Sequence, residues 1–410
     1  MKLQKKHIYL FISIISMCLY GYGFILTVYN KSLEEALNCT PKETSLVFTV
    51  CLVMFNLGIL ACGYIYRFLK LRTMFAVSTI MIGLGIFLSA RVDSVEALYF
   101  TIGALYGFGA GIGYKAHLTS MVAWFPNNVG VISGMLFMGT GLTAMVFNVP
   151  INSWIEGYGW RNSFIILACI TTAILIINAL VVKQYPMDPF KKNDNKDNVD
   201  AEITGIPTGH MIKTARFWTF FIWCVLLSSI SMSIASNSVA TALSIGVSSS
   251  IAAFYSGLIS LFNSGSRILY GLLYDKKGWR ISMSTATVFA IFSVLIVLLA
   301  LKQGNSGILV VGYILLGFCF GAVHPISSAY TLNIFGKKYY SQNYGVQGLF
   351  SLISTFTGPL LLGNLNARFE SFYDTYMYLL IYGLVAIASY IVLRLIHKGH
   401  QQLKTRTVLK

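Results

Sequence analysis

"LISLFNSGSRILYGLLYDKKGWR", Leu258 to Arg280, begins as an apolar helix and ends as a basic turn, with Arg267 between the two. A guanidinium keeps its proton, so Arg267 is a permanent charge wherever the helix lies. If Asp275 marks the edge of a lipid hydrocarbon core, eight helical residues lift Arg267 by about 12 Å, near the middle of a core about 30 Å thick. A charge at that depth costs several kcal/mol unless it faces water or a partner. Whether this stretch is a membrane span therefore decides both the fold and the meaning of Arg267.

The rest of the chain answers the first question. Of 410 residues, 56% are hydrophobic and 11% charged, and the mean hydropathy is +0.70. A soluble domain carries roughly a quarter charged residues, so the composition indicates a polytopic membrane protein. Twelve apolar runs are long enough to span, near 7–29, 44–66, 73–90, 96–116, 131–151, 162–182, 216–238, 251–272, 281–301, 308–330, 344–363 and 375–394. The formal charge of +16 is not a nucleic-acid signal. With a cytosolic N-terminus, 22 of the 30 Lys and Arg residues fall in inside segments, 6 outside, and Lys115 and Arg267 in or near spans. That bias puts both termini in the cytosol of a multi-pass protein of the cell membrane. The seven cysteines lack paired spacing, and no motif indicates a metal, a cofactor or an enzyme active site.

The polar, proline-containing segment between spans 6 and 7 reads as a linker, giving an N-terminal half at 1–183, a cytosolic linker at 184–215 and a C-terminal half at 216–410. The halves repeat. Gly107, Phe108, Gly111 and Phe125 recur at an offset of 210 as Gly317, Phe318, Gly321 and Phe335, and "GYIYRFLKLR" from Gly63 matches "GLLYDKKGWR" from Gly271.

These turns resemble the Gly-x-x-x-Asp-(Arg/Lys)-x-Gly-(Arg/Lys)-(Arg/Lys) signature of the major facilitator superfamily. Gly271, Asp275, Lys276, Gly278 and Arg280 fit it, whereas the first copy has Arg67 in place of the aspartate. "AWFPNNVGVISGM" (Ala123 to Met135), "FGKKYYSQNYG" (Phe335 to Gly345) and the arginine eight residues before Asp275 are similar to elements of oxalate–formate antiporters and monocarboxylate transporters. The resemblance implies twelve helices in two pseudo-symmetric six-helix halves, alternating access, a cytoplasmic gating role for the Gly271–Arg280 turn, and an arginine that receives the anionic group of the substrate.

All fourteen acids lie in expected loops or at span ends, so no membrane carboxylate is available to Arg267. The readings left are a substrate anchor, a snorkelling or carbonyl-bonded structural arginine, and misplaced span ends. An anchor suits arginine, whose fork holds a carboxylate by two parallel hydrogen bonds. Lys115 is either an interfacial lysine snorkelling from the end of span 4 or a second anchor for a dicarboxylate. His324, beside Pro325, is a carbonyl-bonded histidine or a substrate or proton group, and His117 is equally an interfacial histidine or a second titrating group. Tyr20 and Tyr22 beside glycines, Tyr114, Gln347 and Asn263 complete the candidate substrate site. Proton-coupled monocarboxylate transporters carry an acid where this chain has Asn263, and oxalate–formate antiporters a cation in span 11, which here has none.

The expected function is secondary transport of a small organic anion, a mono- or dicarboxylate, by antiport or facilitated flux. The alternatives are proton-coupled symport and, from another class, a transport-inactive membrane sensor. The expected partners are the anion and the lipid bilayer, with the chain acting as a monomer.

Overall fold

The computed structural model describes residues 2–21, 26–186, 205–369 and 371–408. Most of the linker and Tyr22 therefore lie outside the described residues. The described chain is helical: α1 (Lys2–Tyr20), α2 (Leu26–Leu37), α3 (Pro41–Ile65), α4 (Leu71–Ser89), α5 (Val95–Leu98), a π-helical stretch (Tyr99–Tyr106), α6 (Gly107–Trp124), α7 (Val129–Val181), α8 (Thr208–Met211), α9 (Ala215–Ser236), α10 (Ser238–Ser244), α11 (Ser249–Gln303), α12 (Ser306–Phe335), α13 (Tyr340–Gln347), α14 (Leu349–Thr355), a second π-helical stretch (Phe356–Leu360), α15 (Leu361–Phe369) and α16 (Phe372–Val408).

Nine helical segments among the described residues are long and apolar enough to cross a membrane. Two of them are double. α7 runs for 53 residues and α11 for 55, and each turns at a glycine with positive φ, Gly159 at 79° and Gly278 at 76°. A side chain is strained in that region, so glycine is what lets each pair of spans join without a longer loop. With these two divided and α1 supplying the N-terminal span, the chain is an all-α membrane protein of twelve spans. Phe11, Phe100, Leu180, Phe254 and Leu384 point outward, an arrangement suited to lipid rather than water.

Span 4 corrects the sequence boundary. It extends over Val95–Trp124 rather than ending near 116. The hydropathy falls there because His117, Thr119 and Ser120 are polar, yet all three are buried inside the bundle.

The contacts divide the chain into two compact units. One holds Met1–Asn128, Met135–Gly205 and Thr331–Gly348; the other holds Val129–Gly134, Ile206–Tyr330 and Leu349–Lys410. Within the first, α6 packs on α3 through glycine: a Cβ on Gly107 would meet the Cys51 carbonyl oxygen, and one on Gly111 the Phe55 carbonyl and Ile59 amide. Within the second, α12 packs on α11 in the same way, Gly317 on the Ile259 carbonyl and Gly321 on the Asn263 carbonyl and Arg267 amide. The partners are displaced by a constant 208 residues, so the repeat read from the sequence is also a repeat of contacts, and Ile59 occupies the place of Arg267.

Candidate anion site and its clasp

In the second unit, α11 carries Asn263, Arg267, Gly271 and Asp275 at intervals of four, a stripe along one side of the helix. Arg267 is buried, 8% exposed, and its Nε donates to Asn263 Oδ1 at 3.3 Å. The acceptor is a neutral amide, so it orients the guanidinium without cancelling its charge. The ring of His324 on α12 meets the Phe350 ring at 5.3 Å, three residues beyond the Gly321 that packs against the Arg267 amide. The structure thus brings Arg267, Asn263 and His324 together.

Two turns further along, Asp275 reaches the start of α7. The amides of Gly130 and Val131 donate to its two carboxylate oxygens, each at 2.9 Å. These are free N–H groups of a helix N-terminus, where the backbone dipoles also favour a negative charge. Gly271 lies directly against Gly130, with no room for a Cβ on either. Asp275 is half-buried in the turn outside the spans, and burial raises its carboxyl above the usual aspartate range although both amide bonds pull it down. Lys276 and Arg280 are exposed, with the Arg280 guanidinium over the Trp279 ring at 5.6 Å.

The first unit holds the other cation. Lys115 is wholly buried, so the snorkelling expected of it does not occur. Its Nζ rests over the Tyr344 ring at 4.3 Å and the Tyr340 ring at 4.8 Å, and makes no hydrogen bond among the described residues. The cause is the longer span 4, which puts Lys115 nine residues short of Trp124. His117 is likewise not interfacial: it is buried, with Nε2 2.9 Å from Asn178 Oδ1 and Nδ1 2.8 Å from the Gly113 carbonyl oxygen and 3.3 Å from the Tyr20 hydroxyl. Tyr114 is buried between Phe55 and Phe137, and Gln347 is buried at the end of α13. Tyr20, Tyr114, Gln347 and Lys115 thus belong to the first unit, apart from the Arg267 cluster in the second. Sequence reasoning missed Tyr340, Tyr344 and Asn178, whose roles appear only through contacts with distant residues.

A membrane bundle of two repeated units, with cations buried in its spans and every described acid at a helix end or turn, is built as a carrier of solutes across lipid. The chain belongs to the Major Facilitator Superfamily, whose family model matches residues 10–359. It is 25% identical over 345 residues to the oxalate:formate antiporter of Oxalobacter formigenes, covering 84% of this chain and 81% of that protein. It is 21% identical over 362 residues to monocarboxylate transporter 2 of Mus musculus, covering 84% and 75%. Among solved structures it is similar to FucP, a Major Facilitator Superfamily transporter in the outward conformation, with a TM-score of 0.71 at 13% identity over 95% of this chain and 99% of that one. The two pseudo-symmetric halves of that fold are those of this chain.

Proposed function

We propose that this transporter carries a small organic carboxylate by alternating access, as an exchanger or facilitated carrier, with Arg267 receiving the carboxylate. The observation that carries the reading is the buried guanidinium of Arg267 oriented by the neutral Asn263, in spans whose described acids all stand at helix ends or turns. A planar fork held in this way suits two parallel bonds to a carboxylate, which strengthen away from water. The names of the antiporter and monocarboxylate relatives agree with that substrate class. Asn263 favours exchange over proton symport, because an amide cannot take up a proton for the carboxylate. The halves at 1–183 and 216–410 joined by the 184–215 linker, the cytosolic termini, the cell membrane as location, the monomeric state and a gating role for Gly271, Asp275, Lys276, Gly278 and Arg280 belong to the same proposal.

The test is counterflow in proteoliposomes over a panel of formate, lactate, oxalate and succinate. Preloading with one unlabelled anion should accelerate entry of the labelled anion at constant pH, and Arg267→Ala should abolish that entry while the protein still accumulates. Full transport by Arg267→Ala removes the reading. Accumulation driven by a pH gradient with empty vesicles, lost in His324→Gln, favours proton symport instead.

A further inference from the structure

The helix bearing Arg267 is held by backbone contacts, and they are not equal in the two repeats. Residues Val129–Gly134, the first turn and a half of α7, belong with the second unit, although the rest of α7 belongs with the first. This strap lies along α11 through Asp275 and Gly271, as described, and ends at Gly134. A Cβ on Gly134 would strike the Arg267 carbonyl oxygen and lie 2.8 Å from its carbonyl carbon and 3.1 Å from the Ile268 Cα. Ser133 Oγ is hydrogen-bonded to Ser328 Oγ at 2.7 Å, which ties the strap to α12, the helix whose Gly321 packs on the Arg267 amide.

The first repeat supplies an internal control. Gly345 on α13 is the counterpart of Gly134, and it meets Ile59 and Leu60, the counterparts of Arg267 and Ile268. A Cβ there would stand 3.5 Å from the Ile59 carbonyl oxygen and the Leu60 Cα, an ordinary contact. The close approach therefore occurs at the repeat that carries the guanidinium. Helix packing alone would be served by either distance.

We propose that Gly134 is a positioning residue for Arg267: its missing side chain seats the strap on the Arg267 carbonyl and fixes where the guanidinium meets a carboxylate. The inference rests on the reading of Arg267 as the anion site. A displacement of about 1 Å at such a site costs up to about a hundredfold in what the site does. A methyl at Gly134 must displace backbone on α11 or on the strap, and either movement carries Arg267 away from its seat.

The test measures thermal stabilisation of the purified full chain by formate, lactate, oxalate and succinate, and follows the anion that binds wild type most tightly. Gly134→Ala should raise the Kd of that anion about tenfold or more. Gly265→Ala, two residues from Arg267 with nothing within 4 Å of its added methyl, and Gly345→Ala should stay within about twofold. In an Arg267→Lys background the Gly134→Ala factor should shrink below about twofold, since residues acting through one another do not add. A general packing role predicts the same factor in both backgrounds, and that result, or an unchanged Kd in Gly134→Ala, overturns the proposal. Should Gly134→Ala fail to accumulate, Ser133→Ala loosens the strap without adding an atom; a rise of about threefold, absent beside Arg267→Lys, supports the proposal, and no rise overturns it. The underlying reading is judged separately: an Arg267→Ala variant that still binds the anion, or a wild type stabilised by none of the four, refutes that reading and this inference with it.

Discussion

The turns after spans 2 and 8 share a sequence pattern and close by different chemistry. Both set a glycine against the backbone of a helix start: Gly63 on the Ser341 carbonyl before α13 has completed its first turn, and Gly271 on Gly130 of α7. Beyond the glycine they part. Asp275 takes two amide bonds from the α7 N-terminus, whereas Arg67 lays its guanidinium over the Tyr339 ring at 5.2 Å. The buried cations differ in the same sense, since Arg267 is oriented by an amide oxygen and Lys115 rests on two tyrosine faces. At the two turns the glycine-to-backbone packing is alike while the charges beside it differ. At these two pairs, Asp275 and Arg267 are held by directional hydrogen bonds, and Arg67 and Lys115 by aromatic faces, which tolerate a wider range of positions.

The largest expected effect erases this difference at the deepest point. Arg267→Ile installs the residue of the first repeat, and uptake should fall at least about a hundredfold in proteoliposomes. Arg267→Lys keeps the charge without the fork and should retain a weak rate. Equal transport by the isoleucine variant would mean that the two repeats bind substrate alike, and the comparison would fail.

Lys115 comes next. Met fills its volume without the charge, and its exchange for a buried ammonium with no hydrogen bond should leave stability unchanged or improve it by about 1–3 kcal/mol. If the lysine also serves substrate, Lys115→Met should weaken oxalate and succinate transport about tenfold and formate or lactate much less. Equal losses across the four anions would leave Lys115 a structural cation seated on Tyr340 and Tyr344.

Much of this was legible in the sequence, and the reasons are physical. Span length is set by bilayer thickness, so twelve runs of apolar residues were countable without contacts. Arg267 and Asp275 stood out because charge in or beside a span is rare and local. The glycine offsets gave the repeat because close helix approach demands a missing side chain. What could not be read was pairing over distance. "YYSQNYG" carries Tyr340 and Tyr344, but nothing near residue 340 says that the rings lie beneath Lys115. "GVISG" shows an i, i+4 glycine pair at Gly130 and Gly134, yet only the structure names its partners as Gly271 and Arg267. The end of span 4 was misplaced because hydropathy scores His117, Thr119 and Ser120 as exposed, while the bundle buries all three and gives His117 partners of its own.

The clasps themselves give a graded pair. Asp275→Ala removes a charged acceptor from two amides, worth about 1.5–3 kcal/mol per bond, and should lower stability measurably while changing exchange rates about tenfold. Arg67→Ala removes a half-exposed cation–π contact of about 0.5–1 kcal/mol and should change rates less than about threefold. Reversed magnitudes, measured by counterflow and thermal unfolding on the same preparations, would show that the aromatic clasp is the stronger one.

The smallest effect tests the carboxylate by pH. Burial holds the folded Asp275 carboxyl above its ordinary range, so the folded protein keeps this proton more firmly than the unfolded chain does. The sign follows from linkage. The stabilisation due to the raised affinity is fully present below the unfolded carboxyl range and is lost as pH rises through the folded one. Asp275→Asn cannot titrate, and its amide offers one acceptor oxygen where the carboxylate offers two. The difference in Tm between wild type and Asp275→Asn should therefore shift in favour of wild type between about pH 7 and about pH 4, on a slope confined to the carboxyl region. Arg67 does not titrate there, so Arg67→Ala should track wild type in parallel across the same range. A wild-type advantage over Asp275→Asn that instead shrinks on acidification would mean that the two amide bonds outweigh burial, and that the clasp is strongest when ionised.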